Sequence, residues 1–154
     1  MYVKFLAAFT LWVITSTVAA CQTELSADVS AKLIDAIGRR GDTLVLVGFS
    51  HPGACIKCEI ALNALIEEMT ACSGFPRAHR SIYLVSVNRK GELRAVREHY
   101  DTSYELIADV GGKLRALIPV GQDTFVVAMR GTRAWIIRPN DPYCQWLNDA
   151  ERGR

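Results

Sequence analysis

The amino-acid sequence predicts an α/β fold built on a mixed, partly parallel sheet flanked by helices, closed by a C-terminal antiparallel hairpin and a short terminal helix. Three observations carry this. Two near-continuous β-rich apolar runs, TLVLVGFS (43–50) and SIYLVSVN (81–88), read as central strands covered on both faces. Between them Ile60, Leu62, Leu65, Ile66 and Met69 keep helical spacing. Near the end, DTFVVAM and RAWIIR flank a Gly-containing RGT turn and predict a hairpin.

In chain order, Leu25, Val29, Leu33, Ile34 and Ile37 predict a first amphipathic helix over 24–40, stopped at Gly41. Pro52 and Gly53 break the first strand. The second helix opens at Cys55 and runs to about Ala71, where CSGFP ends it. After the strand at 81–88, GELRAVREHYD reads as a polar helix. YELIADVGGKLRALIPVGQ then combines a short apolar piece, a glycine pair and a helical turn. NDPYCQWLNDAERGR predicts the terminal helix, with Cys144 and Trp146 near its start. Trp135, Trp146, Tyr83 and Phe125 are expected to pack the core.

At 154 residues the chain suits one domain that can bury a core unaided. Its 18 Lys+Arg against 16 Asp+Glu, a net charge of +2, supply no strong field for nucleic acid. Arg77, His79, Arg80, Arg89, Lys90, Arg94 and Arg97 form no basic run and read as solvated faces. Ser50 and Ser73 lack the Gly-x-Ser-x-Gly setting of a hydrolase nucleophile.

The amino terminus reads as a secretion signal, because Lys4 precedes the uncharged apolar stretch FLAAFTLWVITSTVAA, which ends in small residues. Its end, VAAC, resembles the bacterial lipobox. That resemblance implies that Cys21 is lipidated and becomes the new N-terminus. The expected organisation is a signal peptide over 1–20, an anchor and tether over 21–25, and a domain over 26–154. An uncut membrane anchor and a freely secreted product are the alternatives. Gln22 after the cysteine favours the outer membrane, should the cell be Gram-negative.

Five cysteines less Cys21 leave Cys55, Cys58, Cys72 and Cys144, an even set expected to act as pairs in an oxidising compartment. Cys55 at a helix N-terminus would have its thiolate stabilised by free backbone N–H groups and the macrodipole, so it is the expected nucleophile. Cys58, one turn later and expected to be more buried, is placed to resolve a mixed disulfide at Cys55. Lys57 favours thiolate, and Glu59 opposes it unless it points into solvent.

His51 lies four residues before Cys55 and could join the pair as a copper or zinc ligand, but no fourth ligand is local, and no metal or other cofactor is assigned. An inert Cys55–Cys58 bond would close too short a loop to stabilise much. A Cys72–Cys144 bridge would close a long loop and contribute about 4 kcal/mol. Two separate buried thiols are the alternative there.

The order strand, Cys-x-x-Cys, helix, strand, hairpin, helix resembles a thioredoxin fold. The closer resemblance is to the extracytoplasmic TlpA-like thiol-disulfide oxidoreductases, over about residues 43–138. TLVLVGFSHPGACIKC is similar to the family's strand plus redox motif, and YELIADVGGKLRALIPVGQDTFVVAMRGTRAWIIR is similar to its later half, including a Val-Gly-x-Pro-Thr segment. The resemblance places His51, Pro52, Lys57, Asp123 and Thr124 near the Cys pair. Asp123 stands where the family has a cis-proline, Ala54 replaces the usual aromatic before the first cysteine, and the strand around Gly48 lacks the buried acid that assists proton transfer in many thioredoxins.

What the resemblance implies is thiol-disulfide exchange with protein clients, as reductase or isomerase rather than oxidase, with a membrane electron donor or acceptor as second partner. A non-catalytic lipoprotein serving envelope assembly and a metal-binding module are the competing readings.

Overall fold

The computed structural model describes residues 22–38, 41–50, 56–99, 104–121 and 123–152. The lipobox, Cys21 and the apolar leader lie outside them. Along the chain come β1 (Thr23–Glu24), α1 (Ala27–Ile37), β2 (Leu44–Ser50), α2 (Ile56–Thr70), β3 (His79–Val87) and α3 (Glu92–Val96), which continues into a 3₁₀ turn at Arg97–His99. Then follow β4 (Glu105–Val110), a 3₁₀ turn at Arg115–Leu117, β5 (Val126–Arg130), β6 (Arg133–Ile137) and α4 (Tyr143–Arg152).

The six strands make one mixed sheet in the order β1-β6-β5-β2-β3-β4. β2, β3 and β4 run parallel. β5 joins β2 antiparallel, and β6 and β1 follow antiparallel. Three parallel strands beside a C-terminal hairpin, with helices on both faces, make this a thioredoxin-like fold.

The central strands are apolar throughout because both of their faces are covered. Leu44 and Leu46 of β2 and Tyr83, Val85 and Val87 of β3 meet Leu62, Leu65, Ile66 and Met69 of α2 and Leu147 of α4. The alternate residues Val45, Val47, Ile82 and Leu84 meet Leu33 and Ile37 of α1 on the other face. Burying each such side chain contributes roughly 1.5–3 kcal/mol, so both faces hold the sheet in register.

The first helix is shorter than its periodicity predicts. Thr23 and Glu24 pair with Ile136 and Trp135 as an edge strand, and Glu24 is forked to Arg133 at 2.6 and 2.7 Å. That hydrogen bond holds the exposed Glu24 carboxyl below its ordinary range. Ser26 then caps α1, its Oγ accepting from Val29 N at 3.4 Å. Gly38, at φ 71°, ends the helix three residues before Gly41.

The stretch 104–121 resolves into β4, which pairs with β3, and a tight turn through Gly111 and Gly112, both at positive φ. Tyr83 and Phe125 are buried as expected. Trp135 and Trp146 are half-buried and meet edge to face at 5.1 Å. Cys72, just past α2, is disulfide-bonded to Cys144 in α4, with Cα atoms 5.4 Å apart.

Candidate functional site

β2 stops at Ser50 and α2 starts at Ile56, so Ser50 and the first turn of α2 stand on either side of the connection that follows the carboxyl end of a parallel strand, where open α/β sheets place their chemistry. His51, Pro52, Ala54 and Cys55 belong to that connection and lie outside the described residues. The first turn of α2 carries Lys57 and Cys58, both exposed. The burial expected of Cys58 is not found. The buried stripe of α2 begins only at Leu62 and continues through Leu65, Ile66 and Met69, so the first turn precedes the part of the helix that packs. Ile60, which the periodicity assigns to the core, is 61% exposed, and Ile56 is 75% exposed. Ile60 lies roughly 200° around the helix from Leu62, opposite the packed stripe.

Glu59 does not point away into solvent. It is half-buried, and Ser50 Oγ donates to its Oε1 at 3.3 Å across the gap between strand end and helix. A carboxylate therefore stands at the carboxyl end of β2, contributed by the residue after Cys58 rather than by the strand.

The strand position that lacks an acid is filled by an aromatic ring. A Cβ at Gly48 would come within 2.5 Å of Tyr83 Cε1 and 3.1 Å of Leu62 Cδ2. Tyr83 is 2% exposed, its hydroxyl donates to Asn63 Oδ1 of α2, and its ring meets Tyr104 edge to face at 4.8 Å. Glycine at 48 is thus what allows Tyr83 to lie between β2 and α2.

Asp123 and Thr124 come to the same sheet end from the other side. The antiparallel register pairs Val47 with Val127, and the Phe49 and Phe125 rings, 5.5 Å apart, carry it onward. Thr124 therefore falls level with Ser50, and Asp123, which is exposed, lies one residue beyond. No peptide bond among the described residues is cis. The structure thus gathers Ser50, Lys57, Cys58, Glu59, Asp123 and Thr124 at one end of the sheet.

Sequence reasoning missed what holds the approach to Asp123. Arg115 Nη2 donates to the carbonyl of Val120 at 3.2 Å and to that of Gly121, and its guanidinium lies 4.8 Å from the centroid of the Phe125 ring. Partial burial pulls the Arg115 pKa down from its ordinary value. Asp109, 2% exposed, accepts from Leu114 N and Arg115 N at 2.9 Å each and so fixes the 3₁₀ turn that carries the arginine. The only sequence signal was an acidic residue closing β4, five and six residues before the amides it captures.

Among the described residues no three His, Cys, Asp or Glu side chains cluster as metal ligands, and no helix is long and apolar enough to cross a membrane.

No protein-family model matches the chain, and no curated protein matches it. Solved structures similar to it include MTB DsbF, in mixed oxidized and reduced forms, at 11% identity and TM-score 0.46, over 73% of this chain and 81% of that one. A secreted Mycobacterium tuberculosis disulfide oxidoreductase homologous to E. coli DsbE is 16% identical with TM-score 0.44, over 73% and 83%. A thioredoxin-like protein from Bacteroides caccae is 10% identical with TM-score 0.47, over 75% of this chain and 42% of that one. At such values they assign no activity to this chain, and the fold stands on its own strand order.

Proposed function

We propose that this chain is a lipid-anchored, extracytoplasmic thiol-disulfide oxidoreductase acting on protein clients. The observation that carries the reading is Cys58, exposed in the first turn of α2 at the carboxyl end of the parallel strands, three residues after a second cysteine.

In the reducing direction the Cys55 thiolate attacks a client disulfide, forms a mixed disulfide and expels one client thiolate, which takes up a proton. The Cys58 thiolate then attacks Cys55 sulfur. The Cys55–Cys58 bond forms, the mixed disulfide breaks, and the second client thiol leaves. Two electrons have passed to the client, and a membrane dithiol donor restores the pair. The N-terminal end of the 15-residue α2 and the exposed Lys57 favour thiolate at this place. Reductase or isomerase work is preferred over oxidation. Cys21 would tether the domain to the membrane, in the outer membrane of a Gram-negative cell.

The test is exchange by the full chain in detergent against a client peptide disulfide. Cys55→Ser is expected to abolish it, and Cys58→Ser to accumulate mixed disulfides. The pair's potential against glutathione is expected between roughly −120 and −270 mV. A pair far below about −300 mV, with both substitutions silent, would sink this reading in favour of an assembly protein. Stoichiometric copper or zinc lost with either cysteine or with His51 would favour a metal module.

A further inference from the structure

Between the 3₁₀ turn and β5, on the way to Asp123 and Thr124, the described residues form no helix or strand. Among them the Arg115 side chain reaches the backbone. Arg115 donates to the Val120 and Gly121 carbonyls, so its fork holds two consecutive peptide units just before the site. Its other contacts fix the arginine itself. Asp109 captures the Arg115 amide from within the core, and the guanidinium lies on Phe125, whose ring packs on Phe49, the neighbour of Ser50. The chain of contact is continuous from buried Asp109, through Arg115, to both walls of the site.

We infer that Arg115 is a positioning residue that, through Val120 and Gly121, sets the approach to Asp123 and Thr124 as one wall of a groove for a client polypeptide beside Cys58. The inference rests on the oxidoreductase reading. A client strand laid against this wall depends on where the wall's backbone groups point, and those directions follow from the two carbonyls that the arginine fixes. A small disulfide such as oxidised glutathione needs only the cysteines. Arg115 therefore governs selectivity for extended clients and leaves the intrinsic exchange chemistry alone.

The experiment compares the full-length wild-type chain with Arg115→Ala and Arg115→Lys, each assayed with a peptide disulfide over a range of concentrations and with oxidised glutathione, alongside a thermal melt. For Arg115→Ala the expected result is a KM for the peptide raised by about tenfold, with kcat and the glutathione rate unchanged. Arg115→Lys keeps the cation but loses the planar group seated on the Phe125 ring, so its KM is expected between the two. If the alanine variant does not fold, the lysine variant decides: a raised peptide KM with an unchanged glutathione rate supports the inference, and wild-type kinetics overturn it. Equal losses toward both substrates also overturn it, since they report a general structural role. A wild-type chain that exchanges with neither substrate removes the oxidoreductase reading itself, and the assignment of Arg115 falls with it.

Discussion

The two ends of α2 place the same residue type in opposite settings. At the amino end Cys58 is exposed, flanked by the exposed Ile56 and Ile60, and the helix has not yet reached its packed stripe. At the carboxyl end Cys72 is 8% exposed and bonded to Cys144 across a separation of 72 residues. Side-chain contacts tie the helix along its length: Ser50 to Glu59, Tyr83 to Asn63, Tyr143 to Glu68, then the disulfide. A cysteine's task here follows from the loop it closes and the surface around it. A pair three residues apart can hold almost no chain entropy, and on the proposed reading it serves chemistry instead, whereas the distant pair closes a long loop.

That division is open to a direct break. Replacing Cys72 and Cys144 together by alanine removes a bridge worth about 4 kcal/mol by loop-closure entropy, an expected fall of roughly 10–15 °C in Tm for a chain of this size. Exchange at Cys55 and Cys58, measured below the new Tm, is expected to persist. A loss under about 1 kcal/mol in urea unfolding would mean that packing of Leu147 and the Trp135–Trp146 pair, not the bridge, anchors α4. Exchange lost in a folded double variant would show that the two ends are not separable.

The middle of the helix offers a smaller effect that sharpens the same contrast. Gly48→Ala drives a methyl to 2.5 Å from the Tyr83 ring and 3.1 Å from Leu62. The ring cannot retreat freely, because Asn63 and Tyr104 hold it. Overpacking of this kind costs about 1–3 kcal/mol. The expected readout is a lower urea midpoint with the disulfide intact. An unchanged midpoint would show that Tyr83 moves without cost, and that glycine at 48 is not what seats it.

Much of this was legible in the sequence, for physical reasons that also mark where legibility stopped. β2 and β3 declare themselves because strands buried on both faces must be apolar at every position, and the hairpin because its turn needs Gly131. β1 was missed because two residues on a sheet edge carry no period, and Thr23 and Glu24 were absorbed into the helix that Ser26 begins. Ile60 misled for a related reason. Periodicity counts apolar residues but does not know where the sheet beneath a helix ends. At the site, the Cys pair and Asp123 are visible as spacing and as departure from a motif. The Ser50–Glu59 bond, the ring over Gly48 and the fork from Arg115 join residues that only the folded sheet brings together.

The smallest expected effect lies at the anchored end, and pH resolves it better than stability does. Tyr143 in α4 donates its hydroxyl to Glu68 Oε2 of α2 at 2.7 Å. That hydrogen bond first, then partial burial and the carboxylate's charge, push the phenol pKa up to about 12 from 10.0. The folded value lies above the unfolded one, so the bond's stabilisation is fully present below pH 10 and is lost as pH rises through about 12. Because the pair is largely exposed, Tyr143→Phe is expected to cost about 0.5 kcal/mol or less near neutrality. Titrating phenolate absorbance on both chains checks it: the wild type is expected to show a high-pH tyrosine step missing from the variant, and their stability difference to vanish above that step. A Tyr143 step near the ordinary value of 10.0, rather than near 12, would mean that the Tyr143–Glu68 bond does not persist in solution, leaving the disulfide and apolar packing to hold that end of the helix alone.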